Sequence, residues 1–249
     1  MAKLSDSNKA ELVAQLEQQG IQRDTYDIVP LERVQKFIAD RLTHAAQSVP
    51  SFPLEINIRL NKLLAARQSF NNSHATRITL NDTLIKACAT ALTLVPEVNV
   101  SYTPQALIRH RHADIAVAVA TDSGLITPII RQSESKSVEE ISRLAGDLAQ
   151  RAHARQLRPG EYTGGTFTIS NLGMFGITRF GSIINPPQGA ILSIGAAEKR
   201  IVVEDDCPVA ATMMSAVLTC DHRVIDGALG ARWLKSFRDL LEDPVSFLE

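Results

Sequence analysis

Apolar residues recur at helical spacing twice within the first 48 residues, which predicts an arm of two helices leading into the main body. The first is a polar amphipathic helix over residues 5–19, with Ser5 or Asp6 as its cap. Residues 22–27 are predicted as a linker, and the second helix begins near Pro30, since proline is tolerated in a first turn. Each helix has one apolar face, formed by Leu12, Val13 and Leu16 in the first and by Val34, Phe37, Ile38 and Leu42 in the second.

After this arm, strand-like and helical patterns alternate. Strands are predicted at residues 54–58, 113–120, 124–131, 165–170, 189–196 and 209–220, and helices at 84–95, 138–155 and 226–241. Asn81 or Asp82 is the expected start of the first of these helices, and Asp122, Ser123 and Gly124 have the chemistry of a hairpin turn. No internal repeat is visible, so distant strands must pair in one sheet flanked by four or five helices. The predicted fold class is a single α/β domain.

The composition is that of a folded protein without a dominant charge. Hydrophobic residues make up 45% of the 249 residues, charged residues make up 21%, and the formal net charge is −1. Nucleic acid and membrane are therefore not expected as partners, because no basic cluster and no apolar run of roughly 18 to 20 residues is present. Cys88, Cys207 and Cys220 lack CxxC spacing, which favours neither a metal site nor a disulfide framework. We expect a soluble protein of a reducing compartment such as the cytoplasm, since the start lacks the apolar segment of a secretory signal.

His222 is distinguished from the other five histidines by its place at the end of a predicted buried strand. It follows the apolar run 213–220 and precedes Asp226 and Gly227, which lead into a helix. A rigidly held imidazole suits a general base, whose position must be fixed closely. From position alone, a core histidine bonded to a backbone carbonyl is the alternative. The remaining histidines have charged neighbours and are predicted to lie on the solvated surface: His44, His74, His110, His112 and His153.

Ser170 and Asp226 each allow two interpretations. Ser170 ends a predicted strand, so its hydroxyl is either a donor aimed out of a rigid element or part of a turn. Asp226 either caps the following helix or forms an ion pair that holds the turn, and with it the imidazole, in place. Arg223 lies between Asp221 and Asp226 and is predicted to belong to a local charge network.

The segment Asp221-His-Arg-Val-Ile-Asp-Gly227 resembles the HxxxDG signature of the dihydrolipoamide acyltransferases of 2-oxo acid dehydrogenase complexes, a motif shared with chloramphenicol acetyltransferase. Further segments resemble that family in the same order, namely 29–42, 49–50, 122–128, 164–176, 184–187 and 243–244. The resemblance covers roughly residues 28–249 and is greatest for the acetyltransferases of pyruvate dehydrogenase complexes. It implies an acyltransferase catalytic domain over residues 28–249, and the residue pattern predicts an N-terminal helix and linker over 1–27.

The resemblance also implies a fold, a reaction and roles for three residues. The fold would be a chloramphenicol-acetyltransferase-like mixed sheet covered by helices, assembled as a trimer with the active site between subunits. His222 would be the general base, contributed across the subunit boundary. Ser170, in Thr168-Ile-Ser-Asn-Leu-Gly173, would stabilise the tetrahedral intermediate, and Asp226 would support the loop.

The implied reaction is direct transfer of an acetyl or other short acyl group between dihydrolipoamide and coenzyme A. No metal is required, and neither Cys207 nor Cys220 needs to act as a nucleophile. The residues that contact coenzyme A are not identified by the sequence. The family places its lipoyl group on another domain, so the partners expected here are a lipoyl domain in cis or in trans and other subunits of a 2-oxo acid dehydrogenase complex. A mitochondrial matrix location is the alternative to the cytoplasm if the chain comes from a eukaryotic protein.

Some features depart from the family or leave the assembly open. No lipoyl domain, Pro/Ala-rich linker or subunit-binding domain is recognised, which is expected either of a catalytic portion or of a short protein acylated in trans. Pro50-Ser-Phe-Pro53 differs from the family's Pro-His-Phe pattern, which affects the expected shape of the substrate channel. Phe247 and Leu248 could join trimers into 24- or 60-subunit cages.

Two other functions are compatible with the same sequence. The first is a freestanding acyltransferase that moves an acyl group from acyl-CoA to a small amine or alcohol, since HxxxDG serves that chemistry equally well. The second is a non-catalytic scaffold trimer at the core of a multienzyme complex. Use of dihydrolipoamide as acceptor separates the family reaction from both.

Overall fold

The structure, a computed structural model, describes residues 5–23, 25–121 and 124–244 and divides into two compact units, residues 1–44 and 45–249. In the first unit, α1 (Asp6–Gln18) is capped as predicted by Ser5, whose hydroxyl accepts a hydrogen bond from the Asn8 N–H. A second helix, α2 (Arg33–Ser48), begins just after Pro30 and runs across the division. Its predicted apolar face depends partly on Val34 and Phe37, whose side chains lie outside what the structure describes. The predicted boundary between residues 27 and 28 stays a prediction.

The second unit is built on a seven-stranded mixed sheet. Its strands are β1 (Ser51–Arg59), β4 (Ile115–Val117), β7 (Ile129–Ile130), β8 (Phe167–Asn171), β9 (Ala190–Ile194), β10 (Glu198–Glu204) and β11 (Cys207–Asp221). Their order in the sheet is β1-β11-β9-β8-β4-β7, and β10 pairs with β11 alone. The strand β8 runs parallel to β4 and β9, whereas the other pairs are antiparallel.

Two short hairpins accompany this sheet. One pairs β2 (Val100–Tyr102) with β3 (Leu107–Arg109), and the other pairs β5 (Val119–Thr121) with β6 (Gly124–Ile126). The predicted strand over 113–120 is therefore divided between β4 and β5, and the predicted strand over 124–131 between β6 and β7. The predicted hairpin is confirmed by the β5–β6 pairing, but its turn residues Asp122 and Ser123 lie outside the described residues.

The α-helices that lie wholly within the described part of this unit are α3 (Asn61–Ser73), α4 (Leu80–Leu94), α5 (Val138–His153) and α6 (Gly227–Glu242). Most of α4 is buried, as its apolar sequence predicts, and its start differs from the prediction. The cap is Thr79, whose hydroxyl accepts from the Asp82 N–H while the Asp82 carboxylate accepts from the Thr79 N–H. Asp82, one of the two predicted cap residues, is thus the reciprocal member of a capping box whose N-cap is Thr79.

The two faces of the main sheet differ in chemistry because side chains alternate along each strand. On β1, Phe52, Leu54, Ile56 and Ile58 pack against the core, as do Leu218 and Cys220 on β11. The opposite face carries polar side chains on four strands, namely Glu55 and Asn57 on β1, Ser215 and Thr219 on β11, Ser193 on β9, and Thr168 and Ser170 on β8. These polar residues form the polar face of the sheet.

Candidate active site

The backbone around His222 is fixed from two sides. The His222 N–H donates to the Pro50 carbonyl oxygen at 3.0 Å, next to the point where Ser51 of β1 pairs with Asp221. The Asp221 carbonyl oxygen accepts from the Val224 and Ile225 N–H groups at 3.1 and 2.9 Å, which forms the turn into α6. His222 therefore sits on an anchored turn at the end of the longest strand, as its position in the sequence predicts.

The imidazole itself is exposed and lies against one aromatic ring. The ring centroids of Phe52 and His222 are 4.5 Å apart, with an angle of 43° between the ring planes. Among the described residues, neither ring nitrogen of His222 forms a hydrogen bond. The alternative of a core histidine bonded to a backbone carbonyl is thus wrong, because the His222 side chain is exposed. Phe52 was missed as a site residue, although it lies in the Pro-Ser-Phe-Pro segment that departs from the family pattern.

A charged pair flanks His222 directly. The Arg223 guanidinium donates to both carboxylate oxygens of the buried Asp221, with Nη2 to Oδ2 at 2.7 Å and Nε to Oδ1 at 2.9 Å. The Arg223 N–H also donates to Asp221 Oδ1 at 3.0 Å. The predicted charge network is confirmed for Asp221 and Arg223, and its third expected member, Asp226, has another role.

Asp226 is the N-cap of α6. Its carboxylate Oδ1 accepts a hydrogen bond from the Leu229 N–H at 2.7 Å. A negative charge here also interacts favourably with the positive end of the helix dipole. The capping interpretation of Asp226 is therefore confirmed.

Ser170 lies near the end of β8 on the polar face, and it is half-buried. It pairs across the sheet with Ser193 of β9, whose buried hydroxyl is 2.7 Å from the Ser182 hydroxyl. Among the described residues, the Ser170 hydroxyl has no hydrogen-bond partner. A strand holds the Ser170 backbone, so this hydroxyl lies on a rigid element, and its role as a donor stays a prediction.

Glycines allow the turn after Ser170 to lie flat against β9. A Cβ on Gly173 would meet the Gly195 carbonyl oxygen at 2.7 Å, and a Cβ on Gly195 would overlap the Thr178 carbonyl oxygen. The Gly173 N–H donates to Asn171 Oδ1 at 2.9 Å, and the Ala196 N–H donates to the Ile177 carbonyl oxygen at 2.8 Å. Close backbone approach therefore fixes the segment that follows the hydroxyl.

Within one chain, His222 and Ser170 are far apart. Ser170 pairs with Ser193, and Ser193 pairs with Val217 of β11, so Ser170 is level with a residue five positions before His222. Five residues span about 16 Å along a strand and two strand spacings span about 10 Å, which separates the two backbones by about 19 Å. The His222 ring also lies against Phe52, at the edge of the core-facing side, whereas Ser170 lies on the polar face.

A family model described as 2-oxoacid dehydrogenases acyltransferase (catalytic domain) matches residues 23–249. The chain belongs to this family. Two curated relatives are dihydrolipoyllysine-residue acetyltransferase components of pyruvate dehydrogenase complexes. The one from Rhizobium meliloti is 42% identical over 231 residues, which cover 90% of this chain and 52% of the relative. The mitochondrial one from Dictyostelium discoideum is 45% identical over 223 residues, which cover 88% of this chain and 35% of the relative. The chain thus spans about half or less of the length of these relatives.

Solved structures of this acyltransferase family match the fold closely. Dihydrolipoamide acetyltransferase from Azotobacter vinelandii aligns with a TM-score of 0.86 at 31% identity, covering 100% of this chain and 99% of that chain. That structure belongs to crystallographic and enzymatic investigations on the role of a serine, a histidine and an asparagine in its catalytic mechanism. The cubic core of a pyruvate dehydrogenase multienzyme complex aligns with the same TM-score, identity and coverage.

Chloramphenicol acetyltransferase shares the fold of this family domain without close sequence similarity. It aligns with a TM-score of 0.54 at 13% identity, covering 88% of this chain and 100% of that chain. The predicted chloramphenicol-acetyltransferase-like α/β fold, a mixed sheet covered by helices, is confirmed. The predicted family is confirmed as well.

The remaining histidines of this acyltransferase domain include one wrong prediction. His44, His74, His112 and His153 are exposed, as predicted. His110 is instead half-buried, with Nε2 2.8 Å from the hydroxyl of the buried Ser101, and burial lowers the pKa of its imidazole. The sequence around residue 110 does not predict this burial. The strands β2 and β3, which bring the two side chains together, are too short to show a clear alternation of apolar and polar residues.

Across residues 5–23, 25–121 and 124–244, no three His, Cys, Asp or Glu side chains group to hold a metal ion. Cys88 and Cys220 are buried, and burial raises the pKa of the Cys220 thiol to about 12.

Among the described residues, no helix has the length and apolar character needed to cross a bilayer.

Proposed function

We propose that this chain catalyses reversible transfer of an acetyl group between coenzyme A and dihydrolipoamide, with His222 as general base and Ser170 as oxyanion donor. The observation that carries the proposal is the exposed imidazole of His222, unbonded within the described chain and held on an anchored turn. The Azotobacter enzyme supports the assignment of roles. Its serine, histidine and asparagine follow one another at intervals of 52 and 4 residues, as do Ser170, His222 and Asp226.

The proposed reaction needs only these two side chains and two thiols. A free thiol near pKa 8.5 is a few per cent thiolate at neutral pH, so a neutral imidazole that removes its proton speeds attack about 10²- to 10⁴-fold. The thiol sulfur of dihydrolipoamide bonds to the thioester carbon of acetyl-CoA while its proton passes to His222. The carbonyl oxygen becomes an oxyanion that accepts a hydrogen bond from Ser170. When the intermediate collapses, the carbon–sulfur bond to coenzyme A breaks and the imidazolium returns the proton to the leaving thiolate.

We further propose that the site is shared between two copies of the chain in a trimer. A general base and an oxyanion donor must both lie within about 3 Å of neighbouring atoms of one thioester. The separation of about 19 Å between the two backbones in one chain cannot meet this requirement. A second copy that brings its Ser170 to the first copy's His222 would meet it.

The substrates and partners follow from the same proposal. The lipoyl group would arrive on a lipoyl domain, in cis or in trans, and the trimer would join other 2-oxo acid dehydrogenase subunits, alone or within a larger cage. Phe247 and Leu248, the expected contacts between trimers, lie outside the described residues. Acetyl is the preferred acyl group because the Rhizobium and Dictyostelium acetyltransferases are 42% and 45% identical to this chain over the aligned residues. The cytoplasm or the mitochondrial matrix is the proposed location, and 28–249 is the proposed catalytic domain.

The direct test is an assay with acetyl-CoA and dihydrolipoamide, together with the mass of the protein in solution. We expect turnover by a trimer or a multiple of trimers. His222→Ala is expected to lower kcat by at least about 10³-fold with folding intact, and Ser170→Ala by about 10²-fold with little change in KM. Near-normal turnover by folded His222→Ala would refute the mechanism. Turnover of a small amine or alcohol instead of dihydrolipoamide would favour the freestanding acyltransferase, and no turnover at all would favour the scaffold.

A further inference from the structure

Tyr102 joins the charged pair beside His222 to the β2–β3 hairpin. The guanidinium carbon of Arg223 lies 3.8 Å from the centre of the Tyr102 ring. One side of the Arg223 side chain thus meets the carboxylate of Asp221 and another meets the aromatic ring. A guanidinium that is both bonded bidentately and stacked has little freedom to move.

The hairpin that carries Tyr102 is itself fixed to the main sheet. The Gly189 N–H donates to the Val100 carbonyl oxygen at 2.8 Å, and the Asp221 N–H donates to the Gly189 carbonyl oxygen at 2.8 Å. Ser101 also forms an isolated antiparallel bridge with Gln188. These bonds hold the backbone just before Tyr102 against the main sheet, and the Tyr102 ring contacts the His222 turn through Arg223.

The contacts between Asp221 and Arg223 constrain the backbone of His222, which lies between them. Asp221 and Arg223 flank His222, and the Arg223 N–H and Nε both donate to Asp221 Oδ1. Only 3% of the Asp221 side chain is exposed, so loss of the guanidinium would leave a buried carboxylate unpaired and displace the turn. A shift of about 1 Å at a catalytic group can lower a rate about 10²-fold.

We propose that Arg223 is a positioning residue for His222, and that the Tyr102 ring holds the Arg223 guanidinium in the plane that Asp221 requires. This inference rests on the proposed function, in which His222 is the base. Arg223 touches neither the thiol nor the thioester in this account. It acts through the imidazole alone, and this separates it from a residue that binds coenzyme A.

The test is steady-state kinetics of the full chain with acetyl-CoA and dihydrolipoamide, after circular dichroism and mass have shown each variant to be folded and assembled. Arg223→Lys keeps the positive charge but removes the planar guanidinium that bonds both carboxylate oxygens of Asp221. We expect kcat to fall about 10- to 100-fold at unchanged KM. Tyr102→Leu removes the ring, and we expect a kcat about tenfold lower. The conservative Tyr102→Phe keeps the ring and is expected to restore kcat to within about twofold of wild type.

Two comparisons separate positioning from stability and from binding. Arg151→Lys makes the same change in a bidentate pair with Glu161, away from this turn, and is expected to leave kcat unchanged. In a His222→Ala background, Arg223→Lys is expected to change the residual rate less than about twofold, because the group through which it acts is gone.

The possible failures are distinguishable. If wild-type protein does not use dihydrolipoamide, the proposed function fails. If wild type is active and Arg223→Lys and Tyr102→Leu both keep wild-type kcat, the inference fails alone. A KM for acetyl-CoA that rises at constant kcat, or an Arg223→Lys penalty that persists in the His222→Ala background, would also overturn it. Should Arg223→Lys not fold, Tyr102→Leu with Tyr102→Phe decides the question.

Discussion

Asp226 lies four residues after the candidate base His222, and its carboxylate accepts a hydrogen bond from the Leu229 backbone N–H at 2.7 Å. Removal of an N-cap side chain costs about 0.5 to 2 kcal/mol, whereas asparagine caps about as well as aspartate. We therefore expect Asp226→Ala to lower the free energy of unfolding by about 1 kcal/mol and Asp226→Asn to change it by a few tenths. Urea denaturation of the two variants measures both values.

Activity of the same two variants tests whether Asp226 has a chemical role. A structural carboxylate predicts that Asp226→Asn keeps most of its kcat, because asparagine caps a helix about as well as aspartate. Loss of about 10³-fold in folded Asp226→Asn would show instead that the charge takes part in the reaction.

The three cysteines are expected to differ in reactivity at pH 8. Cys207 is exposed, whereas Cys220 is buried and its thiol pKa is raised to about 12, because burial disfavours the thiolate. Burial also raises the pKa of the Cys88 thiol. Iodoacetamide should therefore alkylate Cys207 in the folded protein and spare the other two, as measured by peptide mass spectrometry. The alkylated protein should keep its activity, since direct transfer between thiols needs no acyl-enzyme. Inactivation that tracks modification of Cys220 would contradict direct transfer.

Two helical glycines form a matched pair for stability. A Cβ on Gly230 of α6 would lie 2.6 Å from Leu54 Cδ1 and 3.3 Å from Cys220 Sγ, whereas a Cβ on Gly146 of α5 would meet nothing within 4 Å. Gly146→Ala should stabilise the protein by about 0.5 to 1 kcal/mol, because alanine loses less entropy than glycine in a helix. Gly230→Ala should destabilise it by about 1 to 3 kcal/mol through overpacking between α6 and the sheet. Thermal unfolding of both variants measures the difference, and equal shifts would show that α6 does not pack there as described.

Long, strongly patterned elements were predicted from the sequence, and short ones were not. The apolar run of α4 and the long strand β11 were found within a few residues of their ends, because burial on one or both sides produces a clear pattern. The helix α3 was missed because its apolar residues are few and scattered among polar ones. The strand β10 was missed because it is an edge strand whose Ile201 and Val203 are 72% and 75% exposed, so no burial shaped its sequence.

Some residues of the candidate site could be predicted from the sequence, and others could not. His222 and Asp226 could be found because they lie close together in the chain, at the junction of a strand and a helix. Tyr102 and Phe52 could not, because they reach the turn from hairpin β2–β3 and from β1, and only the folded sheet brings them there. The separation of Ser170 from His222 depends on strand order and register, and these are properties of long-range pairing.

In the proposed reaction, one functional site takes its imidazole from one copy of the chain and its hydroxyl from another. Mixed trimers of Ser170→Ala and His222→Ala chains test this claim directly, after co-expression or joint refolding. Each parent alone lacks one of the two groups at every site. In a 1:1 mixture, random assembly would place both intact groups together at about a quarter of the sites.

We therefore predict that the mixture recovers about a quarter of wild-type kcat, well above the rate of either parent. A mixture that forms hybrid trimers, shown by mass spectrometry, and yet is no faster than the average of its parents would contradict a site shared between copies.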